Sequence, residues 1–245
     1  GLILFGSFAI LLLLRVPVSF SLGLSSMLCL VILKVPLVVV GQKIFTALDT
    51  FSIMAIPFFI LSGNLMIAGG LSKRLVNFAM SLLARVRGGL ALASVLSCAM
   101  FGALSGSGPA TVISIGGMMY PELIKQGHDE EKMCGLIATA GTLGPIIPPS
   151  IVMVFYGTVT GVSITQMFAG GIGAGLLLAL ALFGVTIFLA NKEKWPKWDS
   201  SLEKPKVWPT FKESFWALLM PVIVLGGIYG GFSETGWNIF SACKL

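Results

Sequence analysis

Charge is what this 245-residue sequence has least of: Asp, Glu, Lys and Arg make up 11% of it, against roughly a quarter in soluble domains. That is too little to cover a water-facing surface, so a soluble globular protein is excluded. Apolar residues at 56% and a mean hydropathy of +0.97 exclude a disordered one. Sixteen Lys and Arg against ten Asp and Glu leave a net charge of +6, but no basic stripe with interleaved aromatics is present, so nucleic acid is not the expected partner. The four cysteines, Cys29, Cys98, Cys134 and Cys243, show no CxxC spacing, which argues against a zinc site or a disulfide framework and leaves them as small packing residues. The chain opens at Gly1 inside an apolar run, with no basic region or cleavage site, and this opening is read as no signal peptide.

Histidine is nearly absent too. His128 stands in a charged loop beside Asp129, Glu130 and Glu131 and is read as a solvated loop residue. A nucleophilic serine at Ser105 or Ser107 would therefore have no general base within reach, and the Gly106-Ser107-Gly108 loop lacks the Lys-Ser/Thr of a phosphate-binding loop. No enzyme is expected.

What is present is a series of apolar runs. Residues 1–14 end at Arg15, 16–33 end at Lys34 and Pro36, and 51–69 carry Pro57 inside; each is a candidate crossing of a hydrocarbon core about 30 Å thick. Residues 37–50 suit a short interfacial stretch. In 71–87, Leu71, Leu75, Phe78, Leu82 and Val86 recur at helical spacing between Lys73, Arg74, Arg85 and Arg87, the pattern of a helix lying in a membrane surface. Residues 167–190 make a full span, 191–212 form a polar loop with six lysines and three Trp, and 214–232 are a last apolar run. Trp195, Trp198 and Trp208 read as an interfacial anchor. Gly171-x-x-x-Gly175, Gly226-x-x-x-Gly230 and Gly227-x-x-x-Gly231 are helix-contact signals.

Two uncharged stretches, 88–121 and 133–190, are interrupted by helix breakers. Ser105-Gly106-Ser107-Gly108-Pro109 divides the first into arms of 17 residues (88–104) and 12 residues (109–120). The second arm reaches about 18 Å and cannot span, so a re-entrant hairpin is expected, followed by a polar loop over 121–132. Gly144-Pro145-Ile146-Ile147-Pro148-Pro149 splits the second stretch into half-helices over 134–143 and 150–161. With the basic helix and the six-lysine loop on the cytoplasmic side, 13 Lys and Arg fall inside and 3 outside, as the positive-inside rule requires.

Unwound segments at membrane depth are the usual sequence pointer to a transporter's binding site. Ser105, Ser107 and Thr111 offer hydroxyl oxygens, and Gly106, Gly108, Gly141 and Gly144 let carbonyls approach a cation. Pro109 and Ser150 open half-helices whose amide-rich ends favour an anion. No Asp, Glu, Lys, Arg or His lies in 88–121 or 133–190, which argues against a buried proton relay and suits a hard cation such as sodium.

Three segments, Pro57-Phe58-Phe59-Ile60-Leu61-Ser62-Gly63-Asn64-Leu65-Met66, Phe101-Gly102-Ala103-Leu104-Ser105-Gly106-Ser107-Gly108-Pro109-Ala110-Thr111-Val112 and Gly144-Pro145-Ile146-Ile147-Pro148-Pro149-Ser150, resemble the large membrane subunit of tripartite ATP-independent periplasmic (TRAP) transporters of the dicarboxylate and sialic-acid type. The resemblance covers residues 1 to about 232. It implies an all-α integral membrane fold of the bacterial inner membrane, the first half of an inverted-repeat elevator with a re-entrant hairpin and a broken helix. The division it implies is scaffold and arm helices over 1–87, a transport-type region over 88–166 (hairpin 88–120, broken helix 134–161), spans and a lysine-rich loop over 167–232, and a divergent tail over 233–245. The implied function is sodium-coupled import of an organic anion, with a small four-helix membrane subunit and a periplasmic solute-binding protein as partners and no cofactor beyond the coupling ion. The implied sodium ligands are Ser105, Ser107, Gly108, Thr111, Gly141, Thr142 and Gly144, and the implied substrate residues are Ser105, Pro109, Pro148, Pro149 and Ser150. Where the family continues with a Thr-Pro-Thr-Glu-Ala pattern and a second repeat, this sequence reads Ser233-Glu234-Thr235-Gly236 and ends at Leu245. The expectation is a truncated copy; the alternative is a non-transporting membrane fragment or scaffold.

Overall fold

The computed structural model describes residues 1–36, 38–48, 51–83, 86–195 and 207–230, with the backbone alone at 47–48, 51–55, 59 and 228. The readings placed on Asp49, Arg85, Trp198, the loop 196–206, Gly231 and the tail 233–245, Cys243 included, lie outside the described residues. Every regular element among the described residues is helical.

Residues 1–50 form one unit. Helices α1 (Leu2–Leu13) and α2 (Val18–Ile32) pack on each other, and α3 (Val38–Leu48) follows. They stop where the sequence puts its punctuation: Arg15 and Lys34 both take positive φ, 61° and 57°, and Pro17 caps α2. The buried residues of α2 are serines, Ser21 and Ser25, while Leu2, Phe5, Phe20 and Leu33 are exposed. Small polar residues at the contact and large apolar ones outside invert the soluble pattern and suit lipid. At 12 and 15 residues, α1 and α2 reach about 18 and 22 Å, shorter than the spans expected.

The second unit begins at Phe51. Pro57 suggests a bend or break in this span, and helix α4 (Phe51–Ala68) continues through it without a break; the chain turns at Gly69-Gly70, where Gly70 has φ +72°, and α5 (Leu71–Leu83) leaves at 66°. Lys73 and Arg74 face outward while Leu75, Val76 and Ala79 are buried, so the amphipathic pattern is realised against neighbouring helices. The last helix, α13 (Val207–Tyr229), starts seven residues before the expected apolar run. Its polar first turns are helical because they are packed: Thr210 Oγ1 donates to Ser81 Oγ at 3.1 Å and Ser214 Oγ to the Arg74 carbonyl at 3.0 Å.

Helix α6 (Gly89–Ser105) is the centre of this unit, buried along almost its whole length, as a helix apolar on all sides must be. A tight turn returns the chain through α7 (Gly108–Thr111), a π-helical turn (Val112–Gly116) and α8 (Gly117–Lys125). The returning arm is thus longer than expected, because α8 continues through Pro121 into residues read as loop. Asp129 then caps α9 (Glu130–Gly141), its Oδ1 accepting the Lys132 N–H at 3.0 Å. After α10 (Leu143–Ile146) the helix breaks over 147–150 and resumes as α11 (Ile151–Thr160), bent by 45°. Gly144 and Pro145 sit in a helical turn, so the interruption between α10 and α11 falls after them rather than at them.

Helix α12 (Ile164–Lys192) is the one helix among the described residues long and apolar enough to cross a membrane unaided; the bent pairs α9–α11 and α4–α5 each pass the same test jointly. Gly171 and Gly175 place the α12 backbone against Ile146, Ile147 and Met153, a contact the Gly-x-x-x-Gly spacing anticipates. Of the two other such patterns, Gly226 opens one, and a Cβ added there would meet nothing within 4 Å among the described residues; Cys134 is exposed rather than packed.

His128 corrects the reading of it as a solvated residue. It is 5% exposed, its ring stands edge-on to Trp195 with centroids 5.1 Å apart, and neither ring nitrogen has a hydrogen-bond partner. Burial pushes its imidazole below the ordinary histidine value. Trp195 is equally buried rather than an interfacial anchor; its Nε1 donates to Glu193 Oε2 at 2.9 Å, and Glu193 Oε1 accepts from Lys132 Nζ at 2.7 Å. This cluster ties the α8–α9 connection to the end of α12. Trp208 is exposed, as an anchor would be.

Candidate functional site

The turn between α6 and α7 meets the break between α10 and α11, and glycine sets the distance between them. Gly106 takes φ +59° and ends α6, its N–H bonding the Gly102 carbonyl at 2.8 Å, a conformation a Cβ disfavours. Ser107 is extended and caps α7, accepting the Ala110 N–H at 3.5 Å with Gly108 and Pro109 opening the helix. Ser105 Oγ lies 3.2 Å from Thr111 Oγ1, and Thr111 Oγ1 donates to the Ser107 carbonyl at 2.7 Å. Ser105 and Thr111 are buried and Ser107 is half-buried. Two hydroxyl oxygens and one carbonyl oxygen therefore share one small volume inside the turn.

Gly144 faces this turn. A Cβ there would lie 2.8 Å from the Ser107 carbonyl carbon and oxygen and 3.0 Å from the Gly108 nitrogen. Gly108 in turn faces the Gly141 carbonyl, 3.3 Å from where its own Cβ would be. On the other side the Gly106 carbonyl accepts the Ile151 N–H at 3.4 Å, so the turn hydrogen-bonds directly to the first residue of α11. Backbone lies on backbone across the contact, and the groups presented are carbonyls, hydroxyls and helix-end amides.

Ser150 caps α11: its Oγ accepts the Met153 N–H at 3.4 Å and donates to the Pro145 carbonyl at 2.7 Å. Ser150, Pro148 and Pro149 are buried. The peptide Pro148-Pro149 is cis. The structure thus brings together Ser105, Ser107, Gly108, Thr111, Gly141, Gly144, Pro149 and Ser150. Pro109 is exposed on the outer side of α7. Thr142 is exposed as well, its hydroxyl bonded to the Thr139 carbonyl at 2.7 Å, so its side chain is not turned toward the others.

Chemically the arrangement is neutral and asymmetric. Clustered oxygen acceptors suit a hard cation, and an N-capped helix of 10 residues supplies partial positive charge to an anion. Reasoning from sequence missed Gly102, which lies under Gly144 with 2.9 Å between its would-be Cβ and the Gly144 Cα, the π-helical turn behind Thr111, and Ser62. The first was legible as a glycine in the same motif; the turn carried no sequence signal; Ser62 stood in a motif with no chemistry assigned to it.

The chain is 41% identical over 99% of its length to the C4-dicarboxylate TRAP transporter large permease protein DctM of Rhodobacter capsulatus, covering 58% of that protein. It is 43% identical over 94% of its length to the isethionate TRAP transporter permease protein DctMQ of Oleidesulfovibrio alaskensis, covering 36% of it. Against the sialic acid TRAP transporter permease protein SiaT of Haemophilus influenzae the figures are 34% identity over 95% of the chain and 38% of the relative. The chain therefore spans roughly half, or less, of the length of the relatives it matches. Residues 5–244 match the family described as the tripartite ATP-independent periplasmic transporter, DctM component, and with nearly the whole chain inside that match, the protein belongs to this family of transporter permeases.

Proposed function

We propose that this chain forms the first half of the transport site of a sodium-coupled permease that moves an organic anion inward across the bacterial inner membrane. The observation that carries this is the neutral contact of turn and break: oxygen acceptors at Ser105, Ser107 and Thr111 pressed by glycines against the amino end of α11, with no Asp, Glu, Lys, Arg or His between residues 88 and 121 or 133 and 190. Sodium held among the hydroxyls and the carbonyls of Ser107, Gly108 and Gly141 would tie the turn to the broken helix. That fixes the α11 amides for the anion, with Ser105, Pro148, Pro149 and Ser150 around it. Each ligand then raises the affinity for the other by the same factor, which is the thermodynamic content of symport.

The hairpin α6–α8 is read as re-entrant and open toward the cytoplasm, the side that takes 13 of the 16 Lys and Arg. A periplasmic solute-binding protein delivers the anion, and a small four-helix membrane subunit completes the assembly. Relatives named for C4-dicarboxylates, isethionate and sialic acid share an acidic oxygen group, the part of the substrate a helix amino end recognises. An enzyme is disfavoured because the Ser105 hydroxyl is bonded to Thr111 Oγ1 and the Ser107 hydroxyl caps α7 by accepting the Ala110 N–H, while His128 is buried against Trp195 beyond the returning arm.

The test is uptake into proteoliposomes of a full-length permease carrying this segment, with the small subunit and binding protein, under an imposed sodium gradient. Uptake of succinate, isethionate or N-acetylneuraminate that requires inward sodium supports the reading. Uptake indifferent to sodium removes it, and no uptake of any anion favours a scaffold role.

A further inference from the structure

Ser62 sits in the middle of α4 and is 2% exposed, yet its hydroxyl has no hydrogen-bond partner among the described residues. That is out of character for this chain. Helix-interior hydroxyls elsewhere bond the carbonyl one turn back, as Ser94 does to Leu90 at 3.0 Å, Ser97 to Ala93 at 2.7 Å and Thr186 to Leu182 at 2.7 Å. An unpaired buried hydroxyl costs about 1–3 kcal/mol, so an uncompensated one calls for an occupant.

The surroundings say which. Ser62 lines a small cavity with Ala103 and Leu104, the last residues of α6 before Ser105, and with Pro149, the residue before the α11 cap; Met220, Pro221 and Val224 of α13 close it. Its free volume is about 10 Å³, room for a single small atom group. The lining is otherwise apolar, which suits neither a bare cation nor a water that needs several partners. Nearby protons are already given away: Thr111 donates to the Ser107 carbonyl, Ser105 donates to that carbonyl or to Thr111 Oγ1, and Ser150 donates to the Pro145 carbonyl. The Ser62 O–H has neither donor nor acceptor among the described residues, and it shares its cavity with Pro149, the residue before the α11 cap.

We propose that Ser62 is a substrate-positioning residue, its hydroxyl donating to an oxyanion oxygen of the organic acid seated at the amino end of α11. This rests on the transport reading above and adds to it a wall from α4, outside the turn and the broken helix. A carboxylate or sulfonate oxygen entering beside Pro149 takes the free proton, and the cost of the unpaired group is relieved only when substrate is bound.

The experiment is a thermal-shift titration of a full-length permease carrying this segment, with its small subunit, at saturating sodium, using succinate, isethionate and N-acetylneuraminate as probes. The probe that stabilises the unaltered protein is carried forward. Ser62→Ala is expected to raise its half-saturating concentration roughly tenfold or more, the usual loss for a hydrogen bond to a charged group, while Ser62→Thr, which keeps the donor, stays near the unaltered value. Without substrate, Ser62→Ala should melt no lower than the unaltered protein, since it deletes an unpaired group; Ser62→Cys covers a poorly folded alanine variant. Half-saturation within twofold in the Ala and Cys variants overturns the proposal. So does a lower substrate-free melting point with binding unchanged, which marks a structural water. Ser150→Ala separates the two readings: if it weakens binding and Ser62→Ala does not, only this inference fails. If neither moves it, or no probe stabilises the protein, the transport site itself is misplaced.

Discussion

Gly144→Ala adds one methyl where the structure has no room for it. The new Cβ would stand 2.8 Å from the Ser107 carbonyl carbon and oxygen and 3.0 Å from the Gly108 nitrogen. These are backbone atoms of the turn, not the far end of a flexible side chain, so relief requires α10 and the turn to separate. Overpacking of this kind costs about 1–3 kcal/mol. Gly144 lies in a helix, where alanine returns about 0.8–1 kcal/mol of propensity, leaving a net loss of roughly 0–2 kcal/mol. If sodium needs the closed contact and the substrate-free protein does not, that loss falls on ion binding, a reduction of up to about thirtyfold at 1.4 kcal/mol per factor of ten. Gly117→Ala and Gly135→Ala are the controls, since each position is helical and has nothing within 4 Å. The assay is the sodium concentration for half-maximal uptake, with melting temperature alongside. Gly144→Ala indistinguishable from both controls in sodium dependence would show that the turn and the break do not close around the ion.

Thr111→Val keeps the shape at a fully buried position but removes an oxygen and the bond to the Ser107 carbonyl; sodium half-saturation should rise about tenfold, with Ser107→Ala weaker and membrane insertion unchanged in both, read from sodium-dependent uptake. In a background without reactive cysteines, cysteine at exposed positions 131 or 194 should be labelled only from the cytoplasmic side and cysteine at 163 only from the periplasmic side; labelling of 131 and 163 from one face would remove the α9–α11 crossing. Because burial lowers the His128 pKa in the folded state, the unfolded chain binds the proton first as pH falls, so stability drops from about pH 6.5 downward. Melting curves from pH 8 to 5 should show that loss, and His128→Phe, which keeps the edge-on contact with Trp195, should flatten it.

Much of this was legible without coordinates because membrane helices obey few rules. The apolar helices stop at Arg15, Lys34 and Gly69-Gly70 since charge and glycine end them, and the chain turns at Gly106-Ser107 because Gly106 takes positive φ and Ser107 and Pro109 suit the start of a new helix. Boundaries failed where packing, rather than propensity, decided them. Residues 207–213 are helical because Thr210 and Ser214 bond to α5, partners more than a hundred residues away.

The sequence by itself determined the class of protein, the two breaks and the residue types at them, since hydropathy, glycine and proline act locally. Tertiary structure decided which atoms meet: that Gly144 lies on Ser107, that Gly106 bonds Ile151, that Thr142 turns away, that His128 is buried under Trp195, and that Ser62 is left with an unpaired proton beside Pro149. Those facts depend on distances between segments remote in the chain, and no local pattern encodes a distance.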